Sequence, residues 1–251
     1  MRFVFVLLGL VLFGAAKLPV ERAISDAHRR LHFRTADLGP GLREQIGQLG
    51  FIAGLSGFRS LVADVLFIQA HVAWERTEWE RVLLLFRQVT ALQPRSVLFW
   101  DTAAWHMAWN ASAAALRDSS EPRVTLRIKA QRHYLELGKD FLERGIQNNP
   151  ERPELYEALA RLYRDKYHDH KNAAEFFGKA ADLPGARKYT KRFSAYELSY
   201  CDGLEQKAYD QLHALYALGE KERVPTLIRR LQEMELKLDI PPDQRIPNSI
   251  P

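Results

Sequence analysis

The sequence predicts an all-α fold: an α-solenoid of about four antiparallel helix pairs, the second elongated, closed by a C-terminal capping helix. Three prolines carry the first observation. Pro94, Pro150 and Pro184 each end the same phrase, in which a small or branched residue is followed by a bulky apolar one and another small or branched one. The phrases are Val82-Phe86-Val89-Pro94, Gly138-Leu142-Gly145-Pro150 and Ala173-Phe177-Ala180-Pro184. The last two prolines stand 34 residues apart and the first two 56, the same period with an insertion of 22. A fixed period of this size marks an array whose units cannot bury their apolar faces alone. The second observation is helical spacing of apolar residues between Gly, Pro and Asn punctuation from Phe58 onward.

The N-terminus differs in kind. After Arg2, residues 3–16 (FVFVLLGLVLFGAA) contain no polar side chain, and Lys17 with Pro19 ends the run. As a helix, fourteen residues rise about 21 Å, short of a hydrocarbon core of roughly 30 Å unless Lys17 snorkels and the span reaches Val20. Residues 1–19 are therefore expected to be a signal anchor or a signal peptide, with Gly14-Ala15-Ala16 as the site of cleavage in the second case. Residues 20–57 are expected to be a helical linker. Val20, Ile24, Ala27 and Leu31 put an apolar seam on one helix face, suited to a membrane surface, a coiled coil or docking on the repeat domain. Leu38-Gly39-Pro40-Gly41 breaks that helix, a short one runs through Gln45 and Leu49, and Gly54 to Gly57 breaks the chain again.

The repeat domain is expected over residues 58–238. Its first pair is Arg59 to Arg76 with Trp79 to Leu92. The second starts near Val97, runs to about Leu116, turns through Asp118 to Pro122 with Ser120 as N-cap, and returns from Glu121 to Asn148. Val124, Ile128, Leu135 and Leu142 keep a helical stripe, so the 22 extra residues lengthen a hairpin and do not form a loop. Pro153 to Tyr167 with Lys171 to Ala181 make the third pair, and Lys188 to Tyr200 with Leu204 to Leu218, split at Asp202-Gly203, the fourth. Arg223 to Leu238 closes the array, with Pro225 in its first turn. Residues 239–251, rich in proline, are expected to run extended.

Over about Ala63 to Ala217 these residues resemble the tetratricopeptide repeat (TPR) family. That family places a large apolar residue at repeat position 4, where Leu66, Trp100 and Tyr156 fall, and small residues at position 8, where Ala70, Ala104 and Ala160 fall. Phe86, Leu142 and Phe177 match its aromatic at position 24, and Trp79 its aromatic in the intra-pair turn. Val82, Val89 and Gly138 replace the usual alanines, and repeat four has no terminal proline. The resemblance implies protein–protein interaction through a concave groove lined by the first helix of each pair. Carried over position by position, the groove takes Asp64, Phe67, His71, Trp74 and Glu75 from repeat one. Repeat two adds Leu98, Asp101, Trp105, Ala108 and Trp109, and repeat three Glu154, Glu157, Arg161, Arg164 and Asp165. Phe67, His71, Trp74, Asp101, Trp105, Trp109, Arg161 and Arg164 are the candidate partner anchors, since aromatic and arginine side chains dominate binding hot spots.

Composition narrows the alternatives. With 47% hydrophobic and 27% charged residues the chain is an ordinary globular protein. Its net charge of +5 comes from 36 basic and 31 acidic residues dispersed without a run of five Lys or Arg, so nucleic acid is not an expected partner. The lone Cys201 excludes an intrachain disulfide and reads as a buried structural thiol. His168-Asp169-His170 is the one metal-like cluster, in a turn where polar residues belong anyway, and no catalytic set, cofactor or metal is expected. The expected function is a membrane-tethered interaction adaptor or scaffold subunit of an envelope assembly, its repeat domain on the extracytoplasmic (periplasmic) side, or secreted if cleaved near Ala16. The alternative is an accessory subunit or enzyme binding a small or anionic ligand or a metal.

Overall fold

A computed structural model describes residues 57–247. All regular structure among them is helical. The expected membrane segment and all of the linker except Gly57 lie outside the described residues, within which no helix is long and apolar enough to cross a membrane. The chain divides after Pro150 into two compact units.

In the first unit α1 (Arg59–Glu75) and α2 (Trp79–Leu92) pack on each other. Next comes α3 (Val97–Trp105), which continues through a π-helical turn, His106–Ala111, into α4 (Ser112–Arg117). The long α5 (Val124–Asn148) returns along α3, the π turn and α4. The insertion thus lengthens both limbs of one hairpin. The start of α5 corrects the expected cap, because the helix begins at Val124 and Arg123 takes the N-cap position. Pro122 drives the preceding residue out of the helical region. Ser120 instead donates its N–H and hydroxyl to Asp118 Oδ1 at 2.9 and 2.6 Å, and the Glu121 carboxylate accepts from the Arg123 backbone.

The proline phrases are the buried seams of these helices. Val82, Phe86, Val89 and Leu142 are fully buried, and so are Ala173, Phe177 and Ala180 in the second unit. Each large side chain removed from water this way contributes roughly 1.5–3 kcal/mol. The prolines supply something further. The carbonyl oxygen of Pro94 accepts from Trp100 Nε1 at 2.9 Å and from Asn149 Nδ2 at 2.8 Å, while Asn149 Nδ2 also reaches Gly145 O at 3.0 Å. The Asn-Pro at the end of α5 is thereby tied to the proline turn before α3.

The second unit runs α6 (Pro153–Leu162) through a π turn, Tyr163–Tyr167, then α7 (His170–Ala181), α8 (Tyr189–Leu198), α9 (Glu205–Ala217) and α10 (Pro225–Lys237). Each helix packs on its neighbours in sequence. Pro153 and Pro225 open their helices where a missing N–H costs nothing. Gly203 takes φ +80°, the left-handed turn that splits α8 from α9. Leu212, Leu227, Leu231 and Met234 form the core between α9 and α10. The C-terminal tail departs from the expected extended path. Pro242–Gln244 makes a 3-10 turn, and Ile246 lies buried in that core with its N–H on Glu235 Oε1 at 2.9 Å. A proline can open a 3-10 turn because it needs no donor there, and burial of Ile246 holds the turn against α10.

Candidate functional site

The aromatic candidates of the first unit assemble around a histidine that spacing did not single out. His106, the first residue of the π turn, is buried with four rings about it: His71 at 5.5 Å, Trp74 at 5.2 Å, Phe86 at 5.3 Å and Trp105 at 5.1 Å between centroids. Trp74 and Trp105 stand 6.4 Å apart, joining α1 to α3. Phe67 sits deeper, against Phe99 at 5.0 Å and His71 at 4.5 Å, and belongs in part to the core of α1–α3. Trp105 is 44% exposed and Leu98, two turns before it, 61%. Asp101 lies between them, half-buried. Leu98, Asp101 and Trp105 follow helical spacing and present one face of α3.

Two hydrogen bonds orient the imidazoles. His71 Nδ1 donates to the carbonyl of Phe67 at 3.0 Å. His106 Nδ1 accepts from Asn110 Nδ2 at 3.2 Å, which leaves Nε2 to carry the proton, and Nε2 is buried with no hydrogen-bond partner. Burial, with a smaller contribution from the neighbouring charge of His71, pushes His106 down from 6.5 to about 4. The ring is neutral at physiological pH. It had one signal in the sequence, a histidine one residue past Trp105 on a helix otherwise apolar toward its partner, which the position-by-position assignment passed over.

The π turn also corrects that assignment. Ala108, expected on the groove, is fully buried, and a Cβ on Gly138 of α5 would meet its Cβ at 2.6 Å. Closing i to i+5 inserts a residue relative to α-helical phase, so the face that carries Leu98, Asp101 and Trp105 does not continue to Ala108. Trp109 follows within the π turn and is half-buried.

In the second unit the charged candidates are engaged by their neighbours. Glu157, expected to face the groove, is buried. Its Oε2 accepts from Tyr189 OH at 2.7 Å and lies 3.7 Å from both Arg161 and Arg187, while Oε1 has no partner. Tyr189 opens α8 and reaches back to α6, which is why a position-based reading leaves Glu157 exposed. Arg164 pairs with Asp165 at 2.7 Å and lies 5.8 Å from the rings of Phe177 and Phe193. The Asp165 hydrogen bond raises its pKa further.

The His168-Asp169-His170 turn is structural in its contacts. His168 takes the left-handed conformation at φ +54° as the C-cap of the π turn. Asp169 caps α7 by accepting from Asn172 N at 3.0 Å, which holds its carboxyl below the usual range. His170 Nδ1 lies 2.7 Å from the buried Glu197 carboxylate, and its ring stacks on Tyr200 at 4.6 Å. Among the described residues no three His, Cys, Asp or Glu side chains converge as a metal site. Cys201, half-buried and not fully so, donates to the carbonyl of Glu197 at 3.4 Å, and burial raises its thiol.

Compared with known proteins, the chain matches no family model and no curated protein.

Proposed function

We propose that this chain is a TPR-like α-solenoid interaction subunit that binds a partner helix or extended peptide on the face of its first helices. In this reading the pairs are α1 with α2, α3–α4 with α5, α6 with α7, and α8 with α9, with α10 as cap. Helices that pack in chain order, and proline phrases whose apolar residues are buried, support the arrangement. Residues 1–19 tether the subunit, and the repeat domain works on the extracytoplasmic side of an envelope assembly. The role is non-enzymatic.

One observation carries the binding role. Trp105 stands 44% exposed, its ring tilted at 57° to that of Trp74 and 6.4 Å from it, on the same helix face as exposed Leu98. A large amphipathic ring left in water on a helical face, with a second indole behind it, is the composition of a binding hot spot. Asp101 lies on the same face of α3, between Leu98 and Trp105.

Partners are identified by cross-linking the full-length protein in its membrane, and affinity is then measured with the purified pair. Trp105→Ala should weaken binding by about 2 kcal/mol, roughly 30-fold, with His168→Ala as the silent control. Because Trp105 is partly solvated, the variant should keep most of its melting temperature. Undiminished affinity in a folded Trp105→Ala protein moves the interaction to the elongated hairpin, where Arg123, Arg127 and Lys129 lie.

A further inference from the structure

Within the second unit, α7 and α9 flank a groove floored by α8, which packs on both. Two clefts of about 390 and 380 Å³ share Gly178, Asp182, Ser194 and Gln211, and so run into one another. Ala181 faces Ala214 and Leu218 across the first, and Lys171 faces Leu204 and Lys207 across the second. The two helices therefore run in the same direction along the groove, which follows α7 from Lys171 to Asp182, about 17 Å of helix. Small side chains open it. Ala174, Gly178 and Ser194 make the floor, where a Cβ added to Gly178 would meet only Ser194 Oγ at 3.4 Å. The buried Ser194 hydroxyl donates to the carbonyl of Ala174 at 2.8 Å, so its polarity is already satisfied. At one end of the groove Leu218 stands 72% exposed.

The rim is charged, and the charge is uneven. Glu175 pairs with Lys179 at 2.6 Å. The other ionisable groups in the lining are Lys171, Lys191 and Lys207, all exposed, and the single carboxylate Asp182. Lys171 and Lys207 share one end of the groove and stand in the first turns of α7 and α9, where the helix dipoles add to the positive potential. Asp182 and Leu218 lie at the C-terminal turns of the same helices, where the dipoles are negative. An apolar trough between two helices seats the nonpolar face of a third, and the charge at its ends selects direction and partner.

We infer that this groove is a docking site for an amphipathic helix of a partner protein. The helix lies antiparallel to α7 and α9, seats apolar side chains over Gly178 and beside Leu218, and carries acidic residues in its last turn against Lys171 and Lys207. This orientation sets unlike ends of the helix dipoles together. The site belongs to the second unit and does not rest on the aromatic patch around Trp105 in the first.

Full-length protein carrying photoreactive p-benzoylphenylalanine in place of Lys207 or of Leu218 is irradiated in its membrane, and the cross-linked peptides are sequenced by mass spectrometry. Both positions should capture one segment of one partner protein. Apolar residues at helical spacing should join to position 218, and Asp or Glu C-terminal to them should lie against position 207. A synthetic peptide of that segment is then titrated onto purified full-length protein. Lys171→Glu with Lys207→Glu should weaken its binding at least about tenfold, and a peptide whose acidic residues are changed to Lys should regain affinity for that variant. Glutamate suits the first turn of a helix, so the variant should keep its melting temperature. Ala214→Trp, at an exposed position on the groove wall, should abolish binding, while Trp105→Ala should leave it unchanged. Capture of lipid, of a second copy of this chain or of a segment without acidic residues overturns the inference. So does equal affinity in the folded charge-reversed protein, loss of binding in Trp105→Ala, or the absence of any cross-link.

Discussion

At Gly138 one missing methyl sets how closely α5 approaches the helix it packs on. A Cβ there would lie 2.6 Å from Ala108 Cβ and 3.0 Å from both Ala104 O and Ala108 N, and two of those three neighbours are backbone atoms that cannot step aside. Gly138→Ala should therefore lower stability by roughly 1–3 kcal/mol through overpacking, although alanine is the better helix former. Gly178 is the control. Its added Cβ would meet only Ser194 Oγ at 3.4 Å, so Gly178→Ala should be neutral or stabilise by up to about 1 kcal/mol. Thermal or urea melts of the two variants distinguish a packing glycine from an incidental one.

His106 makes a second residue-scale prediction. Its pKa falls from 6.5 to about 4 on folding, so between those values the unfolded chain binds the additional proton. Stability from this group is fully present above about pH 6.5 and is lost as pH falls toward 4, up to on the order of 3 kcal/mol. His71 and the rings of Trp74, Phe86 and Trp105 surround it, and His71 is the one other titratable group in that set. His106→Phe should flatten the dependence of urea-unfolding free energy on pH across this window. An unaltered slope would mean that His106 is protonated without penalty.

Among the elements, the two π turns govern which side chains reach the surface. His106–Ala111 rotates Ala108 into the core behind Trp105, and Tyr163–Tyr167 ends at His168 in the left-handed region. Nothing in local composition announces them; the first lies where Gly138 lets α5 approach Ala104 and Ala108 closely. The C-terminal tail is an element of the same kind. Ile246→Ala should cost roughly 2 kcal/mol, as buried Ile truncations do, by opening a cavity against Leu231 and Met234. A melting temperature equal to that of the wild type would show that the tail contributes nothing to the second unit.

For the whole molecule, each unit builds a core from helices adjacent in sequence, the low-contact-order arrangement expected of repeat arrays. The proposed tethering is tested on the full chain. Fractionation should recover it with membranes, and N-terminal peptide mass should show Met1 or Arg2 retained. A mature chain starting at Lys17 would make it a soluble exported protein instead.

Periodicity sufficed for the all-α class and for most helix limits, among them Trp79–Leu92, Val97 as the start of α3, Asn148 as the end of α5 and the split at Gly203. These depend on local chemistry: apolar residues at helical spacing, prolines that open helices, and glycine where φ is positive. The start of α5 shows where local rules compete, since a good N-cap at Ser120 lost to the restriction that Pro122 imposes on its predecessor. The candidate site was legible only in part. Trp74 and Trp105 could be brought together from their positions, but His106 at the centre of the cluster, the burial of Ala108 and Glu157, and the return of Ile246 to the core were decided by tertiary structure. The reason is physical. A side chain's own helix sets its spacing, whereas its exposure, its protonation and its hydrogen-bond partners belong to whatever packs across from it, and those groups lie tens of residues away in sequence.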